Sequence, residues 1–230
     1  MEYRVEKKFL VSNEQILLLS AKLKTVMKLD SNQQGSAYTI RSLYFDDIYD
    51  NCMQENESGI DERHKLRIRI YDPSAQKLYL ENKEKYRGYT KKTRNIITRD
   101  ECTMIMQGVP LTFDSKRLVV NKLSLAMKTD YMRPKAIIEY DRTAFIHPLG
   151  NVRITFDQNI SASKSCEDFL SYDINEKIPV LPKGMHILEV KYDEFLSDYI
   201  AQLIEDGKLI QIAFSKYYLG RMAIEGQFVY

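Results

Sequence analysis

The sequence predicts an α+β fold whose strands close into a barrel with a charged interior, helices packing outside. Three observations carry that expectation. Strand-like runs are interrupted by helical runs without a regular strand–helix alternation. Strand after strand carries Lys or Arg, often with Glu or Asp, on one face and aliphatic residues on the other. And the helices are numerous enough to cover the aliphatic faces, which leaves the charged faces to line something else.

Tyr3 to Val11 alternates apolar and charged residues as a strand does. Ser12 and Gln15 form a capping-box pattern, and Ile16, Leu17, Leu19, Leu23 and Val26 follow at helical spacing. Tyr38–Phe45 is β-branched and aromatic. Further strands are expected at Lys65–Tyr71, Lys77–Lys85, Lys92–Ile97, Lys135–Ile146, Asn151–Phe156 and His186–Tyr192. Helices are expected near 99–107, where Thr98 and Glu101 repeat the capping box, and near 116–128, 194–206 and 214–224. No Gly-, Ser- or Pro-rich linker and no internal repeat divides the chain, so one domain over residues 1–230 is expected.

Composition narrows the function classes. Lys plus Arg number 34 and Asp plus Glu 32, a net charge of +2, too balanced for a protein that only coats nucleic acid. Cys52, Cys102 and Cys166 are odd in number and far apart, and no Cys/His pair has zinc spacing. No Walker A pattern occurs. The N-terminus lacks an apolar leader and no run reaches the roughly 20 apolar residues of a membrane span, so a cytoplasmic protein is expected.

Residues i and i+2 of a strand point the same way. Glu6 and Lys8 therefore share a face, as do Lys65, Arg67 and Arg69, and Glu81, Lys83 and Lys85. Lys92 pairs with Arg94 in this sense, Arg153 with Thr155 and Asp157, and Glu189 with Lys191. For a single strand this describes an ordinary wet outer face. Repeated in six strands it fits a polar lumen. Such a lumen needs an anion, because like charges about 4 Å apart repel by roughly 4 kcal/mol at an effective dielectric near 20. Arginine forks match phosphate oxygens and lysines act as point charges. The interspersed carboxylates suit magnesium, which takes one or two of them together with phosphate oxygens.

Not every charge belongs to this set. Lys7, Glu84 and Lys91 read as surface residues, while Lys85 fits either setting. Glu6 and Glu81 are metal contacts or ion-pair partners orienting Lys8 and Lys83. Asp157 reads as an orienting or strand-ending acid, Asp46 as tying the turn after its strand, and His64 and His186 as incidental.

Eight short motifs occur in a familiar order: Glu6-Lys7-Lys8-Phe9, Ser42-Leu43-Tyr44-Phe45-Asp46, Arg67-Ile68-Arg69-Ile70-Tyr71, Leu80-Glu81-Asn82-Lys83, Tyr140-Asp141-Arg142-Thr143-Ala144-Phe145, Val152-Arg153-Ile154-Thr155-Phe156-Asp157, Leu188-Glu189-Val190-Lys191-Tyr192 and Phe214-Ser215-Lys216-Tyr217. Over about Tyr3 to Gly220 the chain resembles the VTC domain, the polyphosphate polymerase branch of the triphosphate tunnel metalloenzymes. The resemblance implies a closed, eight-stranded antiparallel tunnel. It implies transfer of the ATP γ-phosphate to inorganic polyphosphate with release of ADP, using Mn²⁺ or Mg²⁺. By position it assigns Arg67, Arg69, Arg142, Arg153 and Lys216 to the reacting phosphates. Lys8, Lys83, Lys92, Arg94 and Lys191 would hold the chain, Arg41 is added as a phosphate contact because it stands just before the Ser42 motif, and Glu189 with Glu6 would hold the metal. Nucleic acid is not an expected partner, while a separately encoded membrane protein that receives the product is compatible with the family.

Hydrolytic and cyclase relatives carry Glu-x-Glu-x-Lys on the first strand. This chain has Arg4-x-Glu6-x-Lys8, nearer the polymerases. Polymerases often carry a lysine three residues before the position of Lys216, where this chain has Ala213. A metal-dependent triphosphatase in the same tunnel and a non-catalytic polyphosphate- or RNA-binding module are the alternatives.

Overall fold

The computed structural model of the protein describes residues 5–31, 33, 35–60, 62–86, 89–205 and 208–227. Arg4 and Tyr3, at the start of the first expected strand, lie outside the described residues. In chain order the elements are β1 (Val5–Ser12), α1 (Asn13–Val26), β2 (Lys28–Leu29), β3 (Tyr38–Asp46), α2 (Asn51–Glu57), β4 (Arg63–Ile70), β5 (Lys77–Tyr86), β6 (Tyr89–Thr98), α3 (Arg99–Met106), α4 (Leu118–Thr129), β7 (Arg133–His147), β8 (Val152–Ser163), β9 (Ile178–Pro179), β10 (Met185–Tyr192), α5 (Asp198–Glu205), β11 (Ile210–Gln211) and α6 (Lys216–Ile224). The α+β class holds, and each expected strand and helix has its counterpart. Both capping boxes form: Ser12 and Gln15, and Thr98 and Glu101, exchange side-chain and backbone hydrogen bonds at the starts of α1 and α3.

All strands join one antiparallel sheet in the order β11-β1-β10-β8-β7-β3-β4-β5-β6, with β2 on β7 and β9 on β8. This corrects the expected closed, eight-stranded barrel: the sheet has 11 strands and is open. The extra strands, β2, β9 and β11, are two-residue pieces too short to leave a periodic signal. Basic residues stand on both sides of the opening. The edge strand β6 carries Lys91, Lys92 and Arg94, while β1 carries Lys7 and Lys8. Basic edge residues disfavour strand addition. Arg117 Nη2 also occupies the Ile96 carbonyl on β6 (2.9 Å).

The outward face buries two apolar cores. Leu66, Ile68 and Ile70 of β4, with Leu78 and Leu80 of β5, pack under α3 and α4. Ile154 and Phe156 of β8, with Leu188 and Val190 of β10, pack under α1 and α5. Burial of each such side chain stabilises the fold by about 1.5–3 kcal/mol.

The expectation that helices lie only outside needs a second correction. Ile40, Ile138, Tyr140, Ala162 and Ile187 share the inward parity of their strands, and they form a third core with Tyr217, Leu219 and Ala223 of α6. Helix α6 therefore packs within the curl of the sheet. Gly220 permits this approach, since a Cβ there would stand 2.2 Å from Ile138 Cδ1. The strand segments concerned are apolar on both faces, so alternation did not reveal which side needed cover.

Strand β8 also runs on to Ser163, past the expected end at Phe156. Between Glu139 and Asp141 of β7 the register shifts by one residue, and Asn159 on β8 adopts φ 53°. Asparagine tolerates this left-handed conformation better than most residues. The bulge puts Asp157 and Ile160 on the same inward face, which joins the charged end of the interior to its apolar floor.

Candidate functional site

The ladder registers put the charged positions together. Lys65, Arg67 and Arg69 of β4 face inward with Glu81 and Lys83 of β5 and Lys92 and Arg94 of β6. From the other side of the curl come Arg142, Arg153, Glu189 and Lys191, then Glu6 and Lys8. Lys216, the first residue of α6, completes the group by reaching Asp157 Oδ2 at 2.6 Å. The charges that nearly cancel over the whole chain are thus sorted into a strongly basic interior.

Four carboxylates organise these cations. Glu6 holds Lys8 and Lys83, each at 3.1 Å, and Lys191 at 3.8 Å. Glu189, on the strand beside it, reaches Lys191 at 3.0 Å, Arg142 at 3.5 Å and Lys8 at 4.0 Å. Glu81 accepts from Arg67 Nε at 2.9 Å, lies 3.8 Å from Arg69 Nε, and also pairs with Lys92. Asp157, completely buried, takes Arg142 through Nε and Nη2 at 2.6 and 2.7 Å in addition to Lys216. Asp157 is thus an orienting acid within a continuing strand. Glu6 does hold Lys8 and Lys83, whereas Glu81 serves Arg67, Arg69 and Lys92.

The electrostatics follow from burial set against these neighbours. Burial raises the Glu81 pKa, but Arg67, Arg69 and Lys92 overcome it and leave the carboxyl at about 2. Burial likewise opposes ionisation of Glu189, yet Lys191, Lys8, Lys216 and Arg142 hold its pKa well below the usual range. Burial and the Glu189 charge raise Glu6, and Lys191, Lys83 and Lys8 together bring it below its ordinary value. Burial drops the Lys83 ammonium to about 8 and Lys65 to about 7.

Arg41 is not in this group. It has the parity of Leu43 and Phe45, which face the outer core. Its Nε meets Glu139 at 2.6 Å, and Nη1 and Nη2 donate to the Phe169 and Tyr172 carbonyls, each at 3.1 Å. It borders a separate outer cavity of about 280 Å³. Its guanidinium clamps a loop to the sheet, and adjacency in sequence to the Ser42 motif gave the opposite impression.

Several contributors escaped notice in the sequence. Asp30 sits 2.7 Å from Arg153 Nη1, and Tyr38 Oη accepts from Arg153 Nη2 at 3.2 Å. Tyr44 Oη accepts from Arg67 Nη1 at 2.7 Å. Asp30 had no sequence signal, since it follows a two-residue strand. Lys65, by contrast, is expected on this face from the parity it shares with Arg67, and it stands there. The remaining minor readings are resolved by contacts. Asp46 accepts from the backbone N–H groups of Cys52 and Met53 and from Tyr217 Oη, so it caps α2 as well as fixing the turn. His186 is structural: Nε2 meets Asn13 Oδ1 at 2.7 Å, and Nδ1 accepts the Asn159 N–H.

Among the described residues no group of three His, Cys, Asp or Glu side chains gathers as a metal cage. The donor set nonetheless fits a hard divalent cation bound in the magnesium manner, through one or two carboxylates and substrate phosphate oxygens. Glu6 and Glu189 are the pair available, on adjacent strands and both ionised.

Comparison with solved structures finds a candidate adenylate cyclase from Bacillus halodurans at TM-score 0.57 and 13% identity, covering 93% of this chain and 94% of that one. That likeness establishes the fold. A protein from Pyrococcus horikoshii aligns at TM-score 0.45 and 14% identity, over 88% of this chain and 86% of that one. Comparison with curated protein sequences finds no match. Among the described residues no helix is long and apolar enough to cross a membrane. Residues 3–224 match the VTC domain. With nearly the whole chain matched and the motif residues of seven strands and α6 converging on one basic interior, this chain belongs to the VTC domain family.

Proposed function

We propose that this protein is a metal-dependent polyphosphate polymerase that transfers the γ-phosphoryl group of ATP to inorganic polyphosphate and releases ADP. The observation that carries the reading is the continuity of the inward cations from β6 round to β1 and α6, beside the carboxylate pair Glu6 and Glu189. The attacking oxygen of a polyphosphate end is already ionised, so the reaction asks little of a general base. Its barrier is the approach of two anions in line, which positioning and charge neutralisation lower.

Arg67, Arg69, Arg142, Arg153 and Lys216 act on the oxygens of the transferred group. Asp157 keeps Arg142 and Lys216 in fixed directions, and Glu81 does the same for Arg67 and Arg69. Lys8, Lys83, Lys92, Arg94 and Lys191 hold the remaining phosphates. A divalent cation, Mn²⁺ or Mg²⁺, held by Glu189 and Glu6 would neutralise charge on the phosphate oxygens.

Ala213, exposed where polymerases often carry a lysine, favours triphosphate hydrolysis in the same interior as the second reading. Incubation with ATP and Mn²⁺ decides between them. Long-chain polyphosphate with ADP supports the polymerase, and orthophosphate without chain product supports the hydrolase. Unchanged ATP with retained polyphosphate refutes both and leaves a binding module.

A further inference from the structure

Lys65 is an inward cation of β4 that the roles above leave unused. Its ammonium donates to Asn56 Oδ1 at 2.9 Å and Ser215 Oγ at 2.8 Å, and lies 5.7 Å from the centre of the Tyr217 ring. All three partners are neutral. Among the described residues Lys65 forms no ion pair, whereas Arg67 and Arg69 on the same face both reach Glu81. Burial and then Arg63 disfavour its charge most; Cys52 acts in the opposite direction, Lys83 and Lys8 repel it further, and the Glu55 carboxylate attracts it from beyond ion-pair distance. Lys8 in turn donates to the Phe214 carbonyl at 2.7 Å. Two ammonium groups from different strands thus grip consecutive residues of the turn that leads into α6.

A largely buried charge without a counter-charge is costly to keep. A hydrophobic stem ending in water would explain an exposed lysine, but this side chain ends inside the fold, against the α6 turn. Two of its three N–H donors are met by neutral acceptors, and no protein carboxylate comes within 4.0 Å among the described residues. The arrangement is disfavoured in the protein alone and is relieved by an anion in the interior.

We propose that Lys65 is a phosphate-contacting residue, forming with Lys8 a subsite for condensed inorganic phosphate beside the N-terminal turn of α6. This rests on the reading that the interior takes phosphate chains and adds a residue and a position to it. Lys65 supplies from β4 a cation close to the turn where residue 213 is alanine. Burial holding its pKa near 7 agrees with a group whose charged form awaits a partner.

The signature is a pair of opposite effects. Replacing Lys65 by methionine keeps the stem and removes an unneutralised charge, so the unfolding midpoint of the ligand-free protein should hold or rise. Affinity for inorganic tripolyphosphate, measured by titration calorimetry, should fall by about tenfold or more, the worth of a hydrogen bond to a charged group. Lys65→Arg should retain affinity to within about threefold. Wild-type affinity in K65M overturns the proposal and leaves the phosphate-tunnel reading intact. Parallel loss of affinity and stability in K65M without recovery in K65R also overturns it, by assigning Lys65 to the scaffold. Failure of the wild-type protein to bind tripolyphosphate overturns the subsite and the tunnel reading together.

Discussion

The Lys83 ammonium on β5 lies 3.1 Å from Glu6 Oε2 on β1, although five strands of the hydrogen-bonded sheet separate β5 from β1. The seam of the curl is therefore bridged by side chains where a closed barrel would have a backbone ladder. Glu6 also holds Lys8 and Lys191, so one carboxylate separates three ammonium groups. Glu6→Gln should destabilise the ligand-free protein by about 1–2 kcal/mol in urea unfolding, a modest figure because Lys83 is partly exposed. Inorganic tripolyphosphate should restore much of the loss by taking over the same cations. An unaltered urea midpoint would show that the seam does not depend on Glu6.

Asp157 is the acid whose loss should hurt stability most. It is completely buried and neutralises both Arg142 and Lys216. Asp157→Asn should cost about 3–5 kcal/mol, the usual effect of leaving buried charges without their partner. Chemical denaturation measures it directly; a cost below about 1 kcal/mol would mean that water reaches the two cations.

Glu81 sets an acid limit on stability. Its carboxyl titrates at about 2 in the folded protein against 4.5 in its ordinary setting. Between those values the unfolded chain binds more protons, so stability falls as pH falls. The contribution is fully present above about pH 4.5 and is lost on approach to about pH 2, on the order of 3 kcal/mol. Urea unfolding from pH 2 to 6 should show this slope, and Glu81→Gln should flatten it. An equally steep acid limb in that variant would assign the effect to other carboxylates.

Gly220 tests the placement of α6. Gly220→Ala should cost about 1–3 kcal/mol, because the new methyl group meets Ile138 Cδ1. Ile138→Val removes that atom, so the double variant should be more stable than the sum of the single effects indicates. Strict additivity in thermal unfolding would mean that the helix does not press on Ile138.

Glu189 tests the metal assignment. Glu189→Gln removes a negative charge from a basic interior, so metal-free tripolyphosphate binding should strengthen while Mn²⁺-dependent turnover of ATP is lost. Undiminished turnover in that variant would remove Glu189 from the metal site.

Much of this architecture was legible in sequence because strand parity is rigid. Alternation at Lys65–Ile70 or Glu189–Lys191 fixes which residues share a face, whatever the sheet does globally. The capping boxes at Ser12 and Thr98 were equally local, and both helices start there. Arg41 obeys the same parity: although it adjoins the Ser42 motif in sequence, it shares the face of Leu43 and points outward.

By itself the sequence determined the eight long strands, the helices other than α2 (Asn51–Glu57), the charged and apolar faces, and the family. Only the tertiary structure decided that the sheet stays open, that α6 enters the curl, and which acid serves which base. The reason is range. Periodicity reports on neighbours two to four residues apart, while the Lys83–Glu6 and Lys65–Ser215 contacts join residues 77 and 150 positions apart, and no local pattern encodes a meeting that depends on how the whole sheet bends.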